Sequence, residues 1–143
     1  MDAIELLKAD HDKVRGLFEE FKQAKEAEAS DRMRDVQQQI FSELETHTRL
    51  EEDIFYPAVR ELDEEEMTET VAEGIQEHHV VKVLMREVEE VKGDETFESK
   101  MAVLIENVEH HADEEEDELF PELREKVTQE WLDDIGAQME AAR

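Results

Sequence analysis

The sequence predicts an all-α fold, an antiparallel up-down four-helix bundle with a short C-terminal helix, on three observations. The chain is rich in Glu, Leu, Lys and Ala, and its 143 residues include only 4 Gly and 2 Pro, which favours long helices over sheets. Apolar residues recur at spacings of three and four almost throughout. The breaks in that pattern are few and short, so consecutive helices must pack side by side. The length suits one domain with a core and is short for two.

The first helix is expected from about Asp2 to Ala29, with Ile4, Leu7, Val14, Phe18 and Phe21 on its apolar face. Ser30 and Asp31 are N-cap candidates for the second. That helix carries Ile40, Leu44, Ile54 and Leu62, and Pro57 within it predicts a kink or a ragged end after Phe55. The acids at 63–66 read as a solvated connection and Thr68 as the next cap. A third helix then holds Val71, Ile75, Val81, Met85, Val88 and Val91. Gly93 is a natural C-cap. The fourth runs from about Thr96 to Lys126, again with a proline, Pro121, near its end. Thr128 can cap a terminal helix bearing Trp131, Ile135 and Met139. The expected organisation is a bundle over 1–127 with a helix over 128–143 packed on it.

Charge narrows the function. A formal net charge of −27 argues against nucleic acid and against an anionic membrane surface, both of which call for clustered Lys and Arg. The absence of cysteine excludes disulfides, thiolate metal sites and a cysteine nucleophile. No basic-then-apolar leader opens the chain and no apolar run is long enough to span a membrane, so a cytoplasmic location is expected.

The six histidines carry the chemistry. Two stretches, HTRLEEDIFYP from His47 and HADEEEDELFP from His111, align without a gap and share a histidine, two adjacent glutamates, an aspartate, an aromatic and a proline. At about 100° per residue, His47 and Glu51 fall within about 40° of Ile40, Leu44 and Ile54. His111 and Glu115 lie on the line of Leu104 and Val108. On the first helix His11 falls inside the stripe of Ile4, Leu7, Val14 and Phe18. On the third, His78 sits among Val71, Ile75 and Met85, and His11-x-x-Val14-x-x-Leu17 repeats as His78-x-x-Val81-x-x-Leu84. His79 and His110 lie about one residue-step off, as edge residues or outer partners.

One inward histidine per helix, plus an inward glutamate one turn after two of them, is a metal-binding constellation. His and Glu four apart share a face. Imidazole with carboxylate suits Fe, Mn or Zn, and glutamates from two helices can bridge a metal pair. A lone inward histidine is ordinarily a satisfied core residue, but four with two matched carboxylates would leave a metal-free core with only a mutual hydrogen-bond network for relief. The remaining acid runs, Glu64–Glu66, Glu89–Glu90, Glu114 and Glu116–Glu118, read as solvated faces, and Tyr56 as ordinary packing near a helix end.

These residues resemble the hemerythrin-like (HHE cation-binding) family: a histidine on the first and third helices, His-x-x-x-Glu on the second and fourth, and the endings EEDIFYP and EEDELFP. The resemblance spans about residues 1–126. It implies a non-haem di-iron centre of two Fe ions, with Glu51 and Glu115 bridging and His11, His47, His78 and His111 as terminal ligands. It further implies O2 or a related small ligand, nitric oxide or peroxide, as partner. Oxygen-carrying hemerythrins have a second histidine four residues away on the third helix. Here those positions around His78 are Gly74 and Lys82, and around His79 they are Ile75 and Val83. The carriers pair His with Asp five apart on the fourth helix, and here both His111–Glu115, four apart, and His110–Glu115, five apart, are available. The missing fifth histidine shifts the expectation from simple oxygen carriage toward sensing, redox or oxidant chemistry.

Three functions compete. The first is a di-iron protein that binds or responds to O2, NO, peroxide or iron; it is expected ahead of an enzymatic role. The second is a di-iron oxidase or peroxide-decomposing enzyme. Ferritin-like oxidases use Glu-x-x-His, whereas the residues three before the six histidines are Lys8, Leu44, Ile75, Gln76, Asn107 and Val108, none acidic. The third is a zinc-bound or metal-free interaction bundle.

Overall fold

The computed structural model describes residues 1–143. Helix α1 (Ala3–Glu26) starts from a capping box: Asp2 accepts from the Glu5 backbone N–H at 2.8 Å, and Glu5 Oε1 accepts from that of Asp2 at 3.1 Å, which satisfies two otherwise orphaned donors. Its apolar face, Ile4 to Phe21, is buried. The chain then turns through Glu28 in the left-handed region (φ 55°), and the Ala29 N–H donates to the Ala24 carbonyl at 2.9 Å.

Helix α2 (Ser30–Leu50) begins without a side-chain cap, because Ser30 is its first residue and Ala29 stands at the cap position. After Leu50 the helix does not break off. It widens into a π-helical turn, Glu51–Phe55, and continues as α3 (Tyr56–Glu61) with Pro57 in the first turn. A proline inside an α-helix removes one hydrogen bond and pushes against the carbonyl four residues back. The wider turn, in which the Tyr56 N–H reaches back to the Glu51 carbonyl, accommodates the ring and keeps the rod continuous.

Helix α4 (Glu65–Glu90) starts before Thr68, which lies inside it. Gly93 is not a left-handed C-cap: α4 ends at Glu90, and Gly93, with φ −89°, stands at the cap position of α5 (Asp94–Glu114). A second π-helical turn, Glu115–Leu119, leads into α6 (Phe120–Lys126), with Pro121 placed as Pro57 is. Helix α7 (Gln129–Ala142) is capped by Thr128, which accepts from the Trp131 N–H at 3.1 Å.

Thus α1, α2–α3, α4 and α5–α6 form four rods of an antiparallel bundle, all helix and no strand. The sequence of elements repeats: α1, α2, π turn, α3, then α4, α5, π turn, α6. Helix α7 lies on α1, where Gly136 allows the closest approach: a Cβ there would stand 2.8 Å from the Asp2 carbonyl carbon and 2.9 Å from the Ala3 nitrogen.

The apolar interior is split. One cluster of 17 buried residues, Val14 to Ile105, fills one end, and one of 16, Ala3 to Met139, fills the other, including the buried face of α7. Because the clusters are nearly equal, the layer between them sits near mid-bundle. That layer is polar: His11, His47, Glu51, His78, His111 and Glu115 are all buried.

Candidate metal centre

Helical periodicity delivers the six side chains to one layer, and both glutamates open a π turn. Their donor atoms fall into two sets, His11, His47 and Glu115 in one and Glu51, His78 and His111 in the other, with the atoms of each set within 4.8 Å of one another. The carboxylates span both sets. Glu51 Oε1 is 3.1 Å from Nε2 of His47 and 3.1 Å from Nε2 of His78. Glu115 lies 3.1 Å from His11 Nε2 through Oε1 and 3.5 Å from His111 Nε2 through Oε2. Of the two histidines left aside in the sequence, His79 and His110 are both exposed.

The opposite ring nitrogens are held by four other acids. His47 Nδ1 donates to Asp10 at 3.0 Å, His78 Nδ1 to Glu52 at 2.9 Å, His111 Nδ1 to Glu77 at 2.9 Å and His11 Nδ1 to Glu116 at 2.7 Å. An ionised carboxylate can only accept, so Nδ1 carries the proton and Nε2 faces the centre. The contacts form a closed ring: α1 supplies the acid for α2, the turn after α2 for α4, α4 for α5, and the turn after α5 for α1. Three of these acids are themselves paired with a cation, Glu116 with Arg15 at 2.9 Å, Asp10 with Arg143 at 2.9 Å and Glu52 with Lys82 at 2.8 Å.

Glu116 is therefore not part of a solvated face. The doubled glutamate of each repeat divides its work: Glu51 and Glu115 point inward, and Glu52 and Glu116 steady a histidine on a neighbouring helix. Tyr56 is also more than packing. Its hydroxyl donates to Glu115 Oε2 at 2.8 Å and lies 3.2 Å from His111 Nε2. Gly74 makes that possible, since a Cβ there would stand 2.9 Å from the Tyr56 oxygen. Aromatic rings back two of the imidazoles, Tyr56 against His78 at 5.5 Å between centroids and Phe120 against His11 at 6.1 Å.

Four buried polar atoms have no hydrogen-bond partner: Nε2 of His11, Nε2 of His47, Oε2 of Glu51 and Oε1 of Glu115. Two of the pairs involved lie at 3.1 Å but lack the alignment of a hydrogen bond, as expected of donors aimed at a shared third point. Buried, unsatisfied groups of this kind are costly, and a cation among them removes the cost. The electrostatics agree. Burial opposes a charged imidazole at His47, yet Glu51 and Asp10 outweigh it and push its pKa up to about 10. Burial likewise works against the Glu51 carboxylate, but His47 and the surrounding donors hold it well below the usual carboxylate range. His111 is raised well above the ordinary imidazole value by Glu115, Glu51 and Glu77 against the opposing effect of burial. Tyr56 is raised well above the usual phenol by burial and by both glutamates. At His47 and His111 the surrounding carboxylates thus favour positive charge.

Beside the histidines lies a cavity of about 30 Å3, whose lining includes the apolar side chains of Val14, Phe18, Leu44 and Val81. A space of that volume suits one or two water-sized molecules.

A family model described as the hemerythrin HHE cation binding domain matches residues 2–123. A DNA nickase from Nostoc sp. (strain PCC 7120) is 25% identical over 144 residues, covering 100% of this chain. The chain spans 39% of that relative's length. No solved structure matches.

Proposed function

Because the chain belongs to the hemerythrin HHE cation-binding family, we propose that its buried layer holds two iron ions, with His11, His47, His78 and His111 as terminal ligands and Glu51 and Glu115 as bridges, and that it binds or responds to O2, NO or peroxide. The observation that carries this reading is the set of four unpartnered inward atoms, two imidazole nitrogens and one oxygen from each glutamate. Bound iron would supply a redox change and open positions for a small ligand. The chain's own groups do the rest. The Nδ1 carboxylates fix each imidazole with its lone-pair nitrogen inward. The small cavity, with its apolar wall, has room beside the histidines for something near the size of a diatomic molecule.

Tyr56 favours a second reading, an oxidant-consuming enzyme. Its hydroxyl keeps a proton 2.8 Å from Glu115 Oε2, with burial and the two glutamates holding it in place. DNA nicking forms no part of this proposal, since a net charge of −27 repels the phosphate backbone.

Metal analysis of the purified protein should find iron near two per chain, and Glu51→Ala or Glu115→Ala should each lose most of it, because one carboxylate serves both ions. Zinc alone, or retention of both metals in either variant, would sink the di-iron reading. Anaerobic iron loading followed by exposure to O2, watched by visible absorption, then separates carriage from the other roles: a reversible band supports carriage, and prompt irreversible oxidation supports sensing or catalysis.

A further inference from the structure

The ring of outer carboxylates is incomplete in one respect. Glu116, Asp10 and Glu52 each contact a Lys or Arg side chain, whereas Glu77 pairs only with His111 and has no such partner. The repeat explains the gap. Arg15 and Lys82 occupy matching places, four residues after His11 and His78. Arg143, which serves Asp10, directly follows α7, and α7 covers one half of the bundle only. On the covered half, the α2 positions corresponding to His110 and Glu114 are Thr46 and Leu50, and Leu50 is buried in the same apolar cluster as Leu132, Ile135 and Met139 of α7. On the open half, α5 carries His110 and Glu114 instead, beside Glu77.

Those three residues are a ligand set. One donor atom from each of Glu77, His110 and Glu114 lies within 4.8 Å of the others. His110 Nε2 is 2.8 Å from Glu114 Oε1, with His110 exposed and Glu114 35% accessible. Glu77 is 31% accessible, and it commits only Oε1 to His111. The set thus combines an i,i+4 His/Glu pair on one helix with a carboxylate from its neighbour.

We propose that Glu77, His110 and Glu114 form a second, solvent-facing site for a divalent first-row cation such as Zn2+, and that this cation stands where Arg143, Arg15 and Lys82 stand around the other three outer acids. One imidazole and two carboxylates suit Zn2+, Mn2+ or Fe2+, and three protein donors leave positions for water. Through Glu77 the bound ion is one carboxylate away from His111, so the surface site is coupled to the buried centre. The proposal does not depend on which metal fills that centre.

The test uses protein whose buried metal has been counted, titrated with Zn2+ against a weak chelator with Ca2+ in excess. The wild type should take one further Zn2+ per chain, and Ca2+ should not displace it, since an imidazole ligand discriminates against Ca2+. His110→Ala and Glu114→Gln should each weaken this binding by at least about tenfold, with the buried metal retained. His79→Ala, an exposed histidine outside the set, should leave it unchanged. The proposal is overturned by absence of a further equivalent, by equal affinity in wild type and His110→Ala, by displacement with Ca2+, or by a matching loss in His79→Ala. Loss of the buried metal in His110→Ala would also overturn it, by assigning His110 to the buried centre.

Discussion

At each of the four inward histidines the ring is divided in the same way, with Nδ1 committed to a carboxylate and Nε2 left for the centre. The consequence is a competition between protons and metal. His47 has its folded pKa raised to about 10 from an ordinary 6.5, so its contribution to metal-free stability is complete below about 6.5 and is lost as pH rises through about 10. Metal needs the neutral ring. Apparent metal affinity should therefore climb across that window, and loading near pH 7.5 should release protons, His47 alone giving about one per chain. Proton release in weakly buffered, anaerobic solution on metal addition measures this directly, and no release would contradict the ion-paired metal-free state. Which acids do the outer work was not legible in the sequence. An inward glutamate announces itself by sitting in an apolar stripe. Glu52, Glu77 and Glu116 lie just outside it, where a solvated acid also lies. The usable signals were the acid directly before each inward histidine on α1 and α4, Asp10 and Glu77, and the doubled glutamate of both repeats.

Among the elements, the number and order of helices followed from periodicity, but their ends did not follow from cap preferences. Ser30, Thr68 and Gly93 are good capping residues on propensity, and none of them caps as expected. Ala29 and Glu64 take the N-terminal positions without a side-chain bond, because packing and connection length outweigh about 1 kcal/mol of capping. The π turns were likewise hidden. A proline signals a conflict within a helix, but not that the conflict will be absorbed by a wider turn starting at the inward glutamate. Helix α7 gives a test at this scale. Gly136→Ala places a methyl against the backbone of Met1, Asp2 and Ala3 and should cost about 1–3 kcal/mol through overpacking. Denaturant unfolding would show the loss, and metal affinity should fall with it, because the displaced helix carries Arg143 away from Asp10. Unchanged stability would mean that α7 shifts without cost.

For the whole molecule the dominant fact is 43 acidic against 16 basic side chains. Ion pairs such as Arg15 with Asp113 at 3.0 Å and Lys13 with Glu43 at 2.7 Å are worth about 0–1 kcal/mol each at a surface, and they leave most acids unpaired. Net repulsion should prevail. The melting temperature of the metal-free protein should therefore rise with NaCl from about 0.01 M to about 1 M, as the screening length falls from about 30 Å to about 3 Å. A fall would show that the surface pairs outweigh the repulsion. Against that outward pressure, the ring of acid-to-imidazole contacts acts as a keyway. Each long rod holds a histidine of the next rod and is held by an acid of the previous one, so none can slide or roll by a residue without undoing contacts on both sides. The registry of the four helices is thus fixed at mid-bundle, where the inward histidines and glutamates meet, and those donor atoms are already gathered with no cation among them.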